Sequence, residues 1–86
     1  MITVKKFSAS WCGPCRTLKP VFEDVKSGFS NVIFEDVDVD ENFELAGKYG
    51  IRSVPTVVIE KNGVEVSRFT GVQSKLAYTN AINENL

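Results

Sequence analysis

The sequence predicts a single α/β domain, a four-stranded mixed sheet flanked by helices in the order β-α-β-α-β-β-α. Three observations carry that prediction. The first forty residues read strand, helix, strand, which calls for a parallel pair joined by a right-handed crossover. Later, two strand-like runs are joined by Asn62-Gly63, a strong hairpin signal. The chain has 86 residues, enough for one domain and too few for two, so residues 1–86 form one unit. A mixed sheet covered by helices satisfies both halves.

Residues 2–7 (ITVKKF) are β-rich, although two lysines weaken the pattern. Ser8 to Trp11 connect to a helix that starts near Cys12, where Leu18, Val21, Phe22, Val25 and Phe29 form a 3.6-residue apolar stripe. Pro20 lies inside this helix and is expected to kink it. Gly28 fits its end. Residues 32–39 (VIFEDVDV) read as the second strand. Asp40-Glu41-Asn42 is a turn able to cap a short helix near 42–49, which Gly50 ends. Residues 55–60, opened by Pro55, and 64–70 read as the hairpin strands, joined by a type I′ turn. Gly71 breaks the last strand. A final helix runs from about Gln73 to Asn85, started by Gln73 or Ser74, with Leu76, Ala77, Ala81 and Ile82 expected to face the sheet.

With 43 % apolar and 24 % charged residues, the composition is that of an ordinary globular chain and argues against disorder. Ten basic against eleven acidic residues leave a net charge of −1, so no basic field points to nucleic acid or to an anionic membrane. No apolar stretch approaches the ~20 residues that span a bilayer, and Met1 to Lys6 lack the apolar core of a signal peptide. A cytoplasmic monomer is the expectation. The acidic run from Glu35 to Glu41 opens like a calcium loop at Asp38-x-Asp40-x-Asn42, but Phe43 and Tyr49 stand where such a loop needs Gly and Glu.

Chemistry concentrates at Trp11-Cys12-Gly13-Pro14-Cys15. A Cys-x-x-Cys pair that follows a strand and opens a helix is a redox signature. Free N–H groups and a partial positive charge at the helix start favour a thiolate at Cys12, which can attack a disulfide. Cys15, one turn further on, can then attack the mixed disulfide and release the reduced substrate. Gly13 permits close approach of a substrate backbone. Pro14 fits the first helical turn and stiffens the spacing of the two sulfurs. Inert core cysteines would not explain this pattern at a helix start. Two thiols and no histidine supply no zinc set within one chain, so no metal is expected, and dithiol chemistry needs no cofactor. Trp11 is either a core aromatic or a flat apolar contact for substrate beside Cys12.

The motif, the element order and a later proline together resemble thioredoxin over essentially the whole chain. The resemblance is carried by Ala9-Ser10-Trp11-Cys12-Gly13-Pro14-Cys15, by Pro20, by Lys48 to Thr56 with its Val54-Pro55-Thr56, and by Lys61-Asn62-Gly63 through Gly71-Val72. It implies a cis Val54-Pro55 peptide facing the sulfurs, whose Val54 backbone pairs with an extended substrate segment, and a second groove wall at Thr70-Gly71-Val72. The alternative for Pro55 is a simple strand-start proline. The implied activity is protein-disulfide reduction, an electron-carrying role in cell redox homeostasis, with disulfide-containing proteins as substrates and a thioredoxin reductase as electron donor.

Two departures from the family pattern stand out. Thioredoxins usually carry an additional N-terminal strand and helix, whereas this chain begins at the strand leading to the motif, the minimal form of the fold. One sheet face then lacks a covering helix, and Lys5 is expected to lie along it with its ammonium in water. In addition, the family has a buried Asp six residues before the first Cys and tends to have a Lys in the next strand. Here these positions are Lys6 and Asp36, the charges exchanged. A Lys6–Asp36 pair beneath Cys15 would stabilise a Cys15 thiolate, with Asp36 receiving the proton; alternatively, Lys6 snorkels to solvent. A glutaredoxin-like, glutathione-dependent enzyme is the nearest alternative function. Against it, Phe69 to Gln73 does not carry that family's Gly-Gly-x-x-Asp. The other alternative is a partner-binding module on the Trp11, Val54 and Gly71 surface with incidental redox activity.

Overall fold

The computed structural model describes all residues from Met1 to Leu86. Its elements are β1 (Ile2–Ser8), α1 (Gly13–Ser27), β2 (Val32–Asp38), α2 (Phe43–Lys48), β3 (Thr56–Lys61), β4 (Val64–Thr70) and α3 (Lys75–Asn85). The four strands form one sheet in the order β2-β1-β3-β4. β1 runs parallel to β2 and antiparallel to β3, and β3 runs antiparallel to β4. The βαβ unit and the hairpin therefore meet at β1, which lies inside the sheet and leads directly to the cysteines.

Strand alternation sorts β1 onto two faces. Ile2 and Val4 join Val57 and Ile59 under α1 and α3, in a core completed by Leu18, Phe22, Val25, Tyr78, Ala81 and Ile82. Phe7, Val37 and Val58 form a smaller cluster on the opposite face with Ala46 of α2. α2 has only six residues, so it cannot cover that whole face. The remainder carries charge. Lys5 Nζ lies 2.6 Å from Glu60 and 3.4 Å from Glu35, 5.6 Å above the Tyr49 ring. The Tyr49 hydroxyl donates to the other Glu60 oxygen at 2.7 Å. Arg68 holds Glu65 and the Tyr49 carbonyl. The expectation that the Lys5 ammonium stands in water is corrected here. Its side chain is only 16 % exposed, because a nearly buried carboxylate lies within reach across the sheet.

Other expectations shift for identifiable reasons. Leu76 is exposed and Ala77 only half-buried, whereas Tyr78 is fully buried. Ser74 caps α3 by accepting from the Ala77 N–H at 3.2 Å, and that start turns the Tyr78, Ala81, Ile82 stripe inward. Asn42 precedes α2 without a side-chain cap bond. Asp38 instead accepts from the N–H groups of Asp40 and Glu41 and shapes the turn. α1 continues through Pro20. β3 starts at Thr56, since Pro55 has no N–H to give a ladder. Asn62 and Gly63 both have positive φ, 53° and 84°, as a type I′ turn requires. After α2, Gly50 turns left-handed at φ 67°, and the Ile51 N–H reaches back to the Ala46 carbonyl.

Candidate active site

The site forms where β1 hands over to α1. Ser8 is the last residue of β1, and the Cys12 N–H returns to the Ala9 carbonyl at 3.2 Å, closing a turn that places Cys12 just before the helix. Cys12 is the N-cap of α1, with φ −89° and ψ 112°, and its Sγ accepts from the Cys15 N–H at 3.2 Å. A sulfur thus occupies the position usually given to a Ser or Asp oxygen. Pro14 lies in the first turn, where its missing N–H is no loss. Cys12 and Cys15 are joined as a disulfide, their Cα atoms 5.3 Å apart. Both are buried, and they pack with Ala9, Val39 and Val54.

Around this pair the structure gathers most of the residues singled out from the sequence. Cys12 Sγ lies 3.7 Å from the Val54 carbonyl oxygen. The Val54–Pro55 peptide is cis, Pro55 is buried, and Thr56 Oγ1 ties the turn by donating to the Ser53 carbonyl at 2.8 Å. The Gly71 N–H donates to the Pro55 carbonyl at 2.8 Å, which sets the Thr70-Gly71-Val72 segment beside the proline. A Cβ built on Gly13 would meet only the Arg16 side chain at 4.0 Å. The space beside that glycine is otherwise open, so its missing side chain does not relieve crowding within the chain. Trp11 is 66 % exposed, which removes the core reading, and its Nε1–H donates to Asp40 Oδ2 at 2.8 Å. Trp11, Val39, Ile51, Arg52, Ser53 and Val54 line a small cleft of about 140 Å³. A larger depression of about 520 Å³, between Glu41 and Lys48, includes none of these groups except as a neighbour of the Asp40 turn.

On the other side of the helix start, Lys6 Nζ and Asp36 Oδ1 are 2.9 Å apart, in register across β1 and β2. Lys6 does not snorkel. Its side chain is 8 % exposed and that of Asp36 is 64 % exposed. Both border an open cleft of about 270 Å³ that Cys15 also lines.

One supporting residue escaped the sequence reading. Tyr78 Oη accepts from the Gln73 N–H at 3.0 Å and lies 3.5 Å from the Gly71 carbonyl, so α3 braces the Gly71 wall from behind. Burial raises the Tyr78 phenol above its ordinary value, and the Gln73 bond opposes this in part. The available signal was the spacing 78, 81, 82, which Leu76 masked.

The comparisons agree with this geometry. The chain matches the family model described as Thioredoxin over residues 1–84. It is 43 % identical to thioredoxin H2-2 of Oryza sativa over 72 residues, 84 % of this chain and 54 % of the rice protein. It is 37 % identical to Bacillus subtilis thioredoxin over 86 residues, 99 % of this chain and 83 % of that one. The structure of Fasciola hepatica thioredoxin superposes with a TM-score of 0.91 at 39 % identity, covering 99 % of this chain and 81 % of that chain. The chain thus spans about half the length of the rice relative and about four-fifths of the other two. With a Cys-x-x-Cys pair closed as a disulfide at the start of α1, the chain belongs to the thioredoxin family of thiol–disulfide oxidoreductases.

Proposed function

We propose that the chain reduces protein disulfides, cycling Cys12 and Cys15 between dithiol and disulfide and drawing electrons from a partner reductase. The placement of Cys12 carries this reading: it caps α1, its sulfur faces the Cys15 N–H, and the Val54 carbonyl stands 3.7 Å away. Hydrogen-bond donors at a helix start favour the Cys12 thiolate. The thiolate attacks one sulfur of a substrate disulfide, forming a Cys12–substrate bond and expelling the other substrate sulfur, which takes a proton. Cys15 then loses its proton and attacks Cys12 Sγ. The Cys12–Cys15 bond forms, the second substrate sulfur leaves, and two electrons have passed to the substrate.

Substrate lies in the groove between Trp11, the Val54–Pro55 turn and Thr70-Gly71-Val72, its extended backbone pairing with Val54. Gly13 leaves the approach open, and Pro14 holds the spacing of the two sulfurs. A dithiol that works as an electron donor must be kept reduced, which suits a cytoplasmic monomer in electron transport and redox homeostasis. The test is insulin disulfide reduction, assayed separately with a flavin reductase plus NADPH and with glutathione. Turnover with the reductase, lost in Cys12→Ser, supports the proposal. Turnover with glutathione alone would place the chain with glutaredoxin-like donors. Full biological activity in Cys12→Ser/Cys15→Ser would make it a binding module.

A further inference from the structure

The resolving half-reaction needs Cys15 to become a thiolate, and the most buried charged side chain of the cleft that Cys15 lines is a cation, Lys6. Lys6 points from β1 toward α1, its Nζ 4.9 Å from the centre of the Phe22 ring. Phe22 and Cys15 stand on the same buried stripe of α1, two turns apart. Lys6, Asp36 and Cys15 line one cleft. The two members of the ion pair are unequally placed: the ammonium side chain is 8 % exposed, the carboxylate 64 %. The inner cation acts through protein, while the outer anion is screened by water. Cys15 therefore feels the pair as a net positive charge.

We infer that Lys6 is a positioning residue for the resolving step, its ammonium stabilising the Cys15 thiolate, and that Asp36 sets how much of that charge Cys15 feels. This rests on the proposed dithiol cycle. An ammonium gives no base, so the Cys15 proton leaves through the open cleft to water or to the exposed Asp36 carboxylate. The other charges facing Cys15 in the cleft are Arg16 and Lys19 from α1 and Asp38 from β2. Arg16 is held by the Ser10 carbonyl, and both Arg16 and Lys19 are exposed, so water screens them more than it screens the buried Lys6 side chain.

The experiment follows the rate of Cys15 alkylation by iodoacetamide against pH in reduced protein carrying Cys12→Ser, read by mass spectrometry. Its pH midpoint is independent of whether any protein disulfide is a substrate. Lys6→Met is expected to raise the midpoint by about one pH unit, and Lys6→Arg to retain it. Asp36→Asn is expected to lower it, because the inner cation loses its counter-charge. Shifts of opposite sign are not produced by general loosening of the fold. An unchanged midpoint in Lys6→Met, or a raised one in Asp36→Asn, overturns the inference. If Lys6→Met does not fold, the Lys6→Arg and Asp36→Asn arms still decide. Insulin reduction by the unmodified pair is measured alongside, so that failure of the dithiol cycle shows there and not in the midpoint.

Discussion

Replacing Lys5 by Met would strip the nearly buried Glu60 carboxylate of its main counter-charge. Glu60 is 9 % exposed at the side chain, Lys5 Nζ sits 2.6 Å from it, and only the Tyr49 hydroxyl would remain bonded to it. Breaking one partner of a buried pair costs about 3–5 kcal/mol. Here Lys5 keeps some contact with water and Tyr49 stays, so about 2–3 kcal/mol is the expected loss. For a domain of this size that corresponds to a fall in Tm of roughly 10–20 °C. Removing both charges in Lys5→Met/Glu60→Leu should recover most of the loss, since an apolar pair leaves no orphaned carboxylate. The assay is urea unfolding of the oxidised protein at pH 7, followed by circular dichroism. A loss below about 0.5 kcal/mol in the single variant, or a double variant whose losses simply add, would refute the reasoning.

The same network fixes a pH signature. Burial alone would push the Glu60 carboxyl up, but the hydrogen bonds from Lys5 and Tyr49 outweigh it and hold it below its ordinary value of 4.5. Its contribution to stability is present above that value and is lost as pH falls through the lower folded-state value. Burial works against the Lys5 ammonium, yet the bonds to Glu60 and Tyr49 hold it well above its ordinary value of 10.5. The Tyr49 phenol is raised above 10.0, chiefly by its bond to Glu60. Both contributions persist below those ordinary values and are lost as pH rises through the raised ones. Because Lys5 also holds the Tyr49 phenol down, the clean comparison is made in Tyr49→Phe: there Lys5→Met should flatten the alkaline limb of a stability–pH curve, and an unchanged limb would contradict the assignment.

Tyr78→Phe should raise KM for a protein disulfide a few-fold while leaving reduction of a small aryl disulfide unchanged, because it loosens the Gly71 wall and spares the sulfurs. Equal losses on both substrates would deny the bracing role. Leu76→Gln should change stability by less than about 0.5 kcal/mol, whereas Tyr78→Ala should cost about 3–5 kcal/mol; comparable unfolding midpoints would contradict the inward turn of α3. Gly63→Ala should cost about 1 kcal/mol, since φ there is 84°, and a denaturation midpoint equal to that of the parent would argue against the type I′ turn.

What could be read from the chain was whatever has local periodicity or a fixed motif. The α1 stripe at Leu18, Phe22 and Val25, the Asn62-Gly63 turn and the Cys12/Cys15 pair each depend on neighbours within a few residues. The Lys6–Asp36 pairing was legible only through the resemblance to thioredoxin, whose pattern puts opposite charges at those two positions; the register of β1 on β2 then brings them level. Residues whose role is settled by a partner far away in sequence were not legible. Lys5 looks like a solvated lysine until β3 places Glu60 beside it. Tyr78 looks no more inward than Leu76 until Ser74 fixes where α3 begins. Thr56 and Asp40 act on Ser53 and Trp11 through single hydrogen bonds that carry no pattern in the sequence.

In the proposed cycle the sulfur of Cys12, the cap of α1, is also the reacting atom. Every change in its bonding is therefore also a change in how firmly the first helical turn is held. A thiolate aimed at the Cys15 N–H makes a charge-assisted bond, roughly twice as strong as one to a neutral acceptor. When substrate is attached, that charge is spent, and the N–H it held belongs to the residue whose thiol must attack next. The cap bond is then weaker in the mixed disulfide, when Cys15 must swing toward Cys12, than in the reduced pair that waits for substrate.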